Sequence, residues 1–210
     1  RATAQQKPPA RSARPAKLNC RFDTTAAWYV RQRAFLDESK HDWTNDSLRS
    51  ALLRATGMKT ASPLPLQYGL RLPFDSTPPL SDEAQALISQ LRSTPRGGPW
   101  PLRSTVGAAG TRAMLALAFR DSNFPSMVMH RMMEAGESEA LGADVATLVD
   151  RVRLGAGRKQ LFGTQMRGDE SGGFVLAPLE DTAHDDMPRE GAGLPPLHLA
   201  VCARLIQASG

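Results

Sequence analysis

The sequence predicts a mainly α-helical single domain that carries one short β-hairpin. Five stretches place apolar residues at helical spacing, and only one, at about residues 159–178, switches to alternation. Aromatic residues make up 6% of the chain, which is low for a β-sandwich and ordinary for a helical protein rich in Ala and Leu. With 210 residues, 41% of them hydrophobic, the chain can bury one substantial core, or a core plus a disordered tail. The expected organisation is a disordered basic leader over 1–19 followed by one helical domain over 20–210.

Thr24 or Thr25 is placed to cap a first helix with Trp28, Tyr29, Phe35 and Leu36. Asp46 begins a second, with Leu48, Leu52 and Leu53 on one stripe and Gly57 as its stop. Five prolines between Pro63 and Pro79 exclude a continuous helix over 58–80, where an extended connection is expected, with a short strand near Tyr68–Leu72. Ser81 caps the clearest amphipathic helix, whose Ala84, Leu87, Ile88 and Leu91 follow the i, i+3, i+4, i+7 pattern. Asp82 and Glu83 suit the positive end of its dipole. From about Ala108 to Phe119 the chain is apolar all round, as a central buried helix requires.

After Asn123 comes a Met-rich helix whose Met127, Val128, Met132 and Met133 are expected to face the core. Val145, Leu148, Val149 and Val152 mark another, ended by Gly155. Leu161, Gly163 and Gln165 then alternate with Phe162, Thr164 and Met166, and a turn over Gly168–Gly173 leads to Phe174, Val175 and Leu176, which is a hairpin signal. An acidic loop follows, and Pro195 opens a last helix with Leu197, Val201 and Leu205. No run of apolar residues is long enough to span a membrane.

The formal net charge of +5 is unevenly distributed. Residues 1–33 hold eight of the 26 basic residues and one of the 21 acids, so the rest carries 18 basic against 20 acidic. A nucleic-acid binder carries its charge as a patch on the folded domain, interleaved with readers of the bases. Here the charge lies in a Pro-containing leader with no aromatic before Phe22, so a solvated segment and no nucleic-acid partner are expected. The chain starts at Arg1, and its leader reads as a segment exposed by processing. Its only cysteines, Cys20 and Cys202, flank the domain; chain ends commonly lie close together, so a disulfide between them and a periplasmic or secreted location are expected.

Familiar chemistry is missing. Gly155-Ala156-Gly157 follows a helix instead of a strand, and the next glycine, Gly163, comes too late for a dinucleotide fingerprint. No P-loop, H-E-x-x-H, C-x-x-C or G-x-S-x-G run occurs, so no cofactor is expected. Glu180, Asp181, Asp185 and Asp186 surround His184, a composition able to hold a divalent cation or to serve as an acid/base pair. A solvated acidic loop is the plainer reading, and no metal site is assigned. His41, His130 and His198 lack ligand spacing.

The most unusual composition lies at Gly157–Gln165, where two glutamines and a threonine sit among permissive glycines. Trp100-Pro101-Leu102-Arg103-Ser104-Thr105-Val106-Gly107 leads into the apolar helix, and Asp150-Arg151-Val152 closes a later one. Gln160-Leu161-Phe162-Gly163-Thr164-Gln165, Leu179-Glu180-Asp181, then Asp186, Arg189 and Gly193-Leu194-Pro195-Pro196-Leu197 follow in order. Over about 95–200 this series resembles an uncharacterised bacterial family, a domain of unknown function with a Gln-x-Tyr-Gly-Thr-Gln signature. The chain departs from that pattern in three places. Phe119-Arg120-Asp121 stands where the family has His-Ala-Asp, Phe162 replaces the signature tyrosine, and Pro188 replaces one arginine of a pair. The resemblance therefore implies a location and not a reaction.

That location groups Asp150, Arg151, Gln160, Gly163, Thr164, Gln165, Asp181, Asp186 and Arg189. An Arg–carboxylate pair there would tie a helix end to the loop, with Gln165 bonded to both. The network either pins the hairpin to the helices or lines a pocket for a polar ligand. Two functions follow. One is a non-enzymatic binding or inhibitor protein of the bacterial envelope, such as an immunity-like partner of a toxin. The other is a small hydrolase or transferase using Gln165, Asp181, His184 and Asp186. Alternation puts Gln165 opposite Phe162 and Met166, pointing away from the core toward Asp150-Arg151 or Asp181.

Overall fold

A computed structural model describes residues 20–39, 43–59, 79–168, 174–181 and 186–208. The leader over 1–19, His41, the strand expected near Tyr68–Leu72, the hairpin turn and His184 with Asp185 lie outside the described residues. Eight helices and one two-stranded antiparallel sheet are described: α1 (Ala27–Leu36), α2 (Asp46–Thr56), α3 (Asp82–Ser93), α4 (Arg103–Ala118), α5 (Phe124–Ala135), α6 (Gly142–Gly155), β1 (Met166–Gly168), β2 (Phe174–Leu176), α7 (Asp186–Gly191) and α8 (Leu197–Ala208). None of these helices is long and apolar enough to cross a membrane.

The expected cap is found at α3, where Ser81 accepts from Ala84 N. Asn45, just before Asp46, caps α2 in the same way, its side chain accepting from Leu48 N. Gly57 closes α2 in the left-handed conformation. Thr24 and Thr25 do not cap α1, whose N-cap is Ala26 with no side-chain bond. Instead the hydroxyl and backbone N–H of Thr25 both donate to Asp23, and these bonds hold that exposed carboxyl below its ordinary range.

The core gathers around α4, where Val106, Ala109, Ala113, Met114, Leu115 and Leu117 are buried on all sides. Leu52 and Leu53 of α2, the α3 stripe, and Phe124, Val128 and Met132 of α5 pack around it. Met127 is half-buried against this cluster, whereas Met133 is 58% exposed, so the methionine stripe covers less of α5 than expected. On α6 the buried face also differs. Val145, Val149 and Val152 are only half-buried, while Ala143, Thr147 and Asp150 lie inside at i, i+4, i+7. The hairpin claims that polar face, and burial there is sustained by hydrogen bonds described below.

The C-terminal helix turns the same way. Leu199, Ala200, Cys202 and Ala203 are buried, and Leu197 and Val201 are half-buried. Cys202 bonds Cys20, with Cα atoms 5.4 Å apart and 182 residues between them in sequence. The six-residue α7 was expected as part of an acidic loop; it is too short for any periodic apolar signal.

Gly107 breaks α4 with φ 68° and ψ 172°, a region essentially reserved for glycine. The break lets Glu38 reach the second half of the helix, where Glu38 Oε1 accepts from Ala109 N at 2.8 Å. Arg49 grips the same carboxylate with both terminal nitrogens, at 3.0 and 2.8 Å, and donates to Val106 O at 2.6 Å. Its guanidinium lies 4.1 Å from the centre of the Trp43 ring. A Cβ on Gly107 would stand 2.6 Å from Arg49 Nη1 and 2.7 Å from Glu38 Oε1. Gly107→Ala is therefore expected to cost at least about 3 kcal/mol, adding backbone strain to loss of the clamp. An unchanged urea midpoint for this variant would show that the clamp is dispensable.

Candidate functional site

Asp150 is fully buried near the end of α6 and organises the segment that follows. Its Oδ1 accepts from Leu161 N (2.7 Å) and Phe162 N (3.0 Å), and its Oδ2 from Thr164 N (2.9 Å) and the Thr164 hydroxyl (2.8 Å). Backbone donors at 161, 162 and 164 curl residues 160–165 into a tight turn around the carboxylate, with Gly163 at φ 63°. This turn replaces the first part of the expected hairpin. Ladder pairing begins only at β1, where Met166 pairs with Leu176 and Gly168 with Phe174.

Both glutamines act inside this turn. Gln160 Nε2 donates to Ala177 O (2.6 Å) and Gln165 O (3.2 Å), and its Oε1 accepts from Gln165 N (2.9 Å). Its backbone bridges Pro178 and Glu180. Gln165 Nε2 donates to Thr147 O (3.2 Å) and to the Thr164 hydroxyl (3.0 Å). Gln165 is thus buried, at 5% exposed, and Phe162 and Met166 are the half-buried neighbours, the reverse of the facing that strict alternation implies. The amide does reach α6, through Thr147 and Thr164.

Arg189 completes the cluster from α7 with no exposed surface. It donates to Pro195 O (2.7 Å), Phe162 O (2.5 Å) and Gly163 O (3.2 Å), joining the turn to the segment that enters α8. Asp186 is exposed, and its Oδ1 accepts from Leu197 N at 2.7 Å, which caps α8. Asp181 is exposed and Arg151 half-buried. A tie from helix end to loop is made by Arg153, which donates to Lys159 O (2.8 Å) and pairs with Glu180. Arg153 carries no motif; only its place in the last turn of α6 hinted at that role.

The family-like departures have local consequences. Asp121 pairs with Arg92 and accepts from Asn123 N and Phe124 N, so this carboxylate serves the start of α5. Phe162 packs beside the small cluster of Ala143, Ala146 and Leu194. Arg103 of the Trp-Pro motif donates to Phe35 O (3.2 Å) and Asp37 O (3.5 Å), fastening the end of α1. Among the described residues no group of three His, Cys, Asp or Glu is arranged to hold a metal ion.

A cavity is lined by the end of α7 and the residues after it, Gly191 to Gly193. An open cleft of about 410 Å3 runs between α1, the turn before α6 and the loop after α7. Gln32 of α1, 1% exposed, donates to Gly193 O (3.2 Å), and Arg31 donates to Glu190 O (3.2 Å). Gly193 at φ 69° ends α7, and a Cβ on Gly142 would stand 2.8 Å from Ala192 O. These glycines let the loop lie directly on the start of α6 and form the cleft floor. No protein-family model, curated protein or solved structure matches the chain.

The Asp150 turn gives a ranked stability expectation. Asp150→Ala strands three backbone donors and a hydroxyl and should cost about 3–5 kcal/mol. Gln165→Ala strands fewer and should cost about 1–3 kcal/mol. Urea unfolding of both variants checks the order; equal and negligible losses would show that the turn holds itself.

Proposed function

We propose that the protein is a non-enzymatic binding or inhibitor protein of the bacterial envelope, periplasmic or secreted, that acts on a protein partner in the manner of an immunity protein. One observation carries this reading: the polar residues at the turn spend their donors and acceptors on the chain's own backbone. Asp150, Gln160 and Arg189 bond main-chain groups at residues 161–165, 177 and 195. A catalytic group needs a donor or acceptor free to meet the reacting atom. Residues so engaged specify a fold and leave recognition to the surface. The Cys20–Cys202 bond supports an oxidising compartment, where such bridges persist. The resemblance over about 95–200 supports placing the chain in the bacterial family with the Gln-x-Tyr-Gly-Thr-Gln signature, as a divergent member.

The hydrolase or transferase reading draws on Gln165, Asp181, His184 and Asp186, of which Gln165 donates to Thr147 O and the Thr164 hydroxyl and Asp186 caps α8. Affinity capture from the source cell's envelope fraction, followed by reconstitution of the captured protein with the purified chain, separates the two. A stoichiometric complex is the expected result. Turnover of an ester, amide or phosphoryl substrate that disappears in His184→Ala at unchanged Tm would overturn the binding reading. Thiol titration of the unfolded, non-reduced protein from its native compartment should find no free thiol; two free thiols would overturn the envelope location.

A further inference from the structure

The cleft between α1, the start of α6 and the loop after α7 has the makings of a chain-end site. Its apolar wall comes from Phe35, Leu141 and Ala143, all buried, and from Ala192. Its charge comes from Arg31 at the rim and Arg103 deeper in, against the single acid Glu137. Arg31 is held in place on one edge only. Its Nη2 donates to Glu190 O, and the guanidinium rests 3.5–3.7 Å from where a Gly193 Cβ would stand. Nε and Nη1 donate to no described residue and Nη2 keeps a second hydrogen, so one edge of the guanidinium, formed by Nη2 with one of these nitrogens, remains open on an exposed side chain. The start of α6, whose first two residues line the cleft, has no side-chain cap. This helix carries a buried acid of its own, Asp144, in its first turn, so the attraction for an anion rests on the guanidinium, whose fork a carboxylate fits.

We infer that this cleft binds the C-terminal carboxylate of a partner polypeptide whose last side chain is apolar. The inference rests on the binding reading above and names the surface that performs it. Volume and openness select a chain end over a free metabolite. At about 410 Å3 the cleft falls within the usual range for ligand sites. Yet Arg31, Ala34, Glu137, Ser138 and Gly191 leave its mouth exposed, whereas a site for a small molecule buries most of its ligand. A chain end enters with one carboxylate and one side chain, and the rest of the partner continues outside.

Isothermal titration of the intact, disulfide-bonded protein with the tripeptide Gly-Ala-Leu provides the test. The free acid is expected to bind, and its C-terminal amide to bind about tenfold more weakly or worse. Arg31→Gln should reduce the acid to the level of the amide, with Arg31→Lys intermediate because it keeps the charge and loses the fork. Ala34→Glu, which sets a negative charge at the mouth, should weaken the acid as well. Arg31 and Ala34 are both exposed, so wild-type Tm is expected for these variants. Equal affinity of acid and amide, undiminished binding by Arg31→Gln, or no binding at millimolar peptide would overturn the site. N-acetylleucine binding as tightly as the tripeptide would overturn the chain-end assignment in favour of a small carboxylate. Capture of an envelope partner is read separately with the unmodified chain, so loss of this site leaves the binding reading standing, and the converse also holds.

Discussion

A carboxylate withdrawn from water needs donors to replace the solvent it lost, and at Asp150 they come from a turn that has no other means of support. Residues 161–164 lie neither in a helix nor in the hairpin ladder, and the amides of Leu161, Phe162 and Thr164 would be unpaired without the α6 side chain. The dependence is mutual. The turn satisfies the buried charge, and the charge fixes the turn, which presents the Phe162 and Gly163 carbonyls to Arg189. Arg189 in turn holds Pro195 and the entry to α8. Much of the C-terminal third therefore hangs on one side chain of α6.

A second ionic clamp does comparable work in the N-terminal half. Glu38 and Arg49 close over the break at Gly107, and the carboxylate takes up an amide that the broken helix leaves open. Both sites use charge for the same purpose, to satisfy backbone groups where regular structure stops. Buried charge pairs add little net stability compared with apolar packing, but a partner removed from such a pair is expensive. That asymmetry makes these clamps good specifiers of one conformation. It also explains why residues that look catalytic by composition need not be so.

The two halves of the chain meet at the cleft. Arg103, at the start of α4, fastens the end of α1, and the Arg189-bearing α7 sets the loop that carries Gly193. Between them Gln32 joins α1 to that loop, and the Cys20–Cys202 bond ties the approach to α1 onto α8. One wall of the cleft is thus held by a helix whose two ends are fastened by different devices. A rigid wall is what recognition of a small fixed group such as a carboxylate requires, because little ordering remains to be done on binding.

Sequence by itself determined the helical class, the cap at Ser81, the Gly57 stop, the buried stripe of α3, the apolar α4 and the pairing of the two cysteines. Each is local or compositional: periodicity, a capping residue, or the only two thiols in the chain. It also gathered Asp150, Gln160, Thr164, Gln165 and Arg189 into one location. Tertiary structure decided what that location does. Alternation set Gln165 apart from the core, but the Asp150 carboxylate drew residues 161–164 into a turn and carried the amide inside. The polar face of α6 was buried for the same reason, since a hydrogen-bond partner distant in sequence outweighs hydrophobic periodicity. The short α7 and the cleft beside it left no mark in the sequence pattern, α7 because six residues carry no period and the cleft because α1 meets the loop after α7 across about 160 residues of chain.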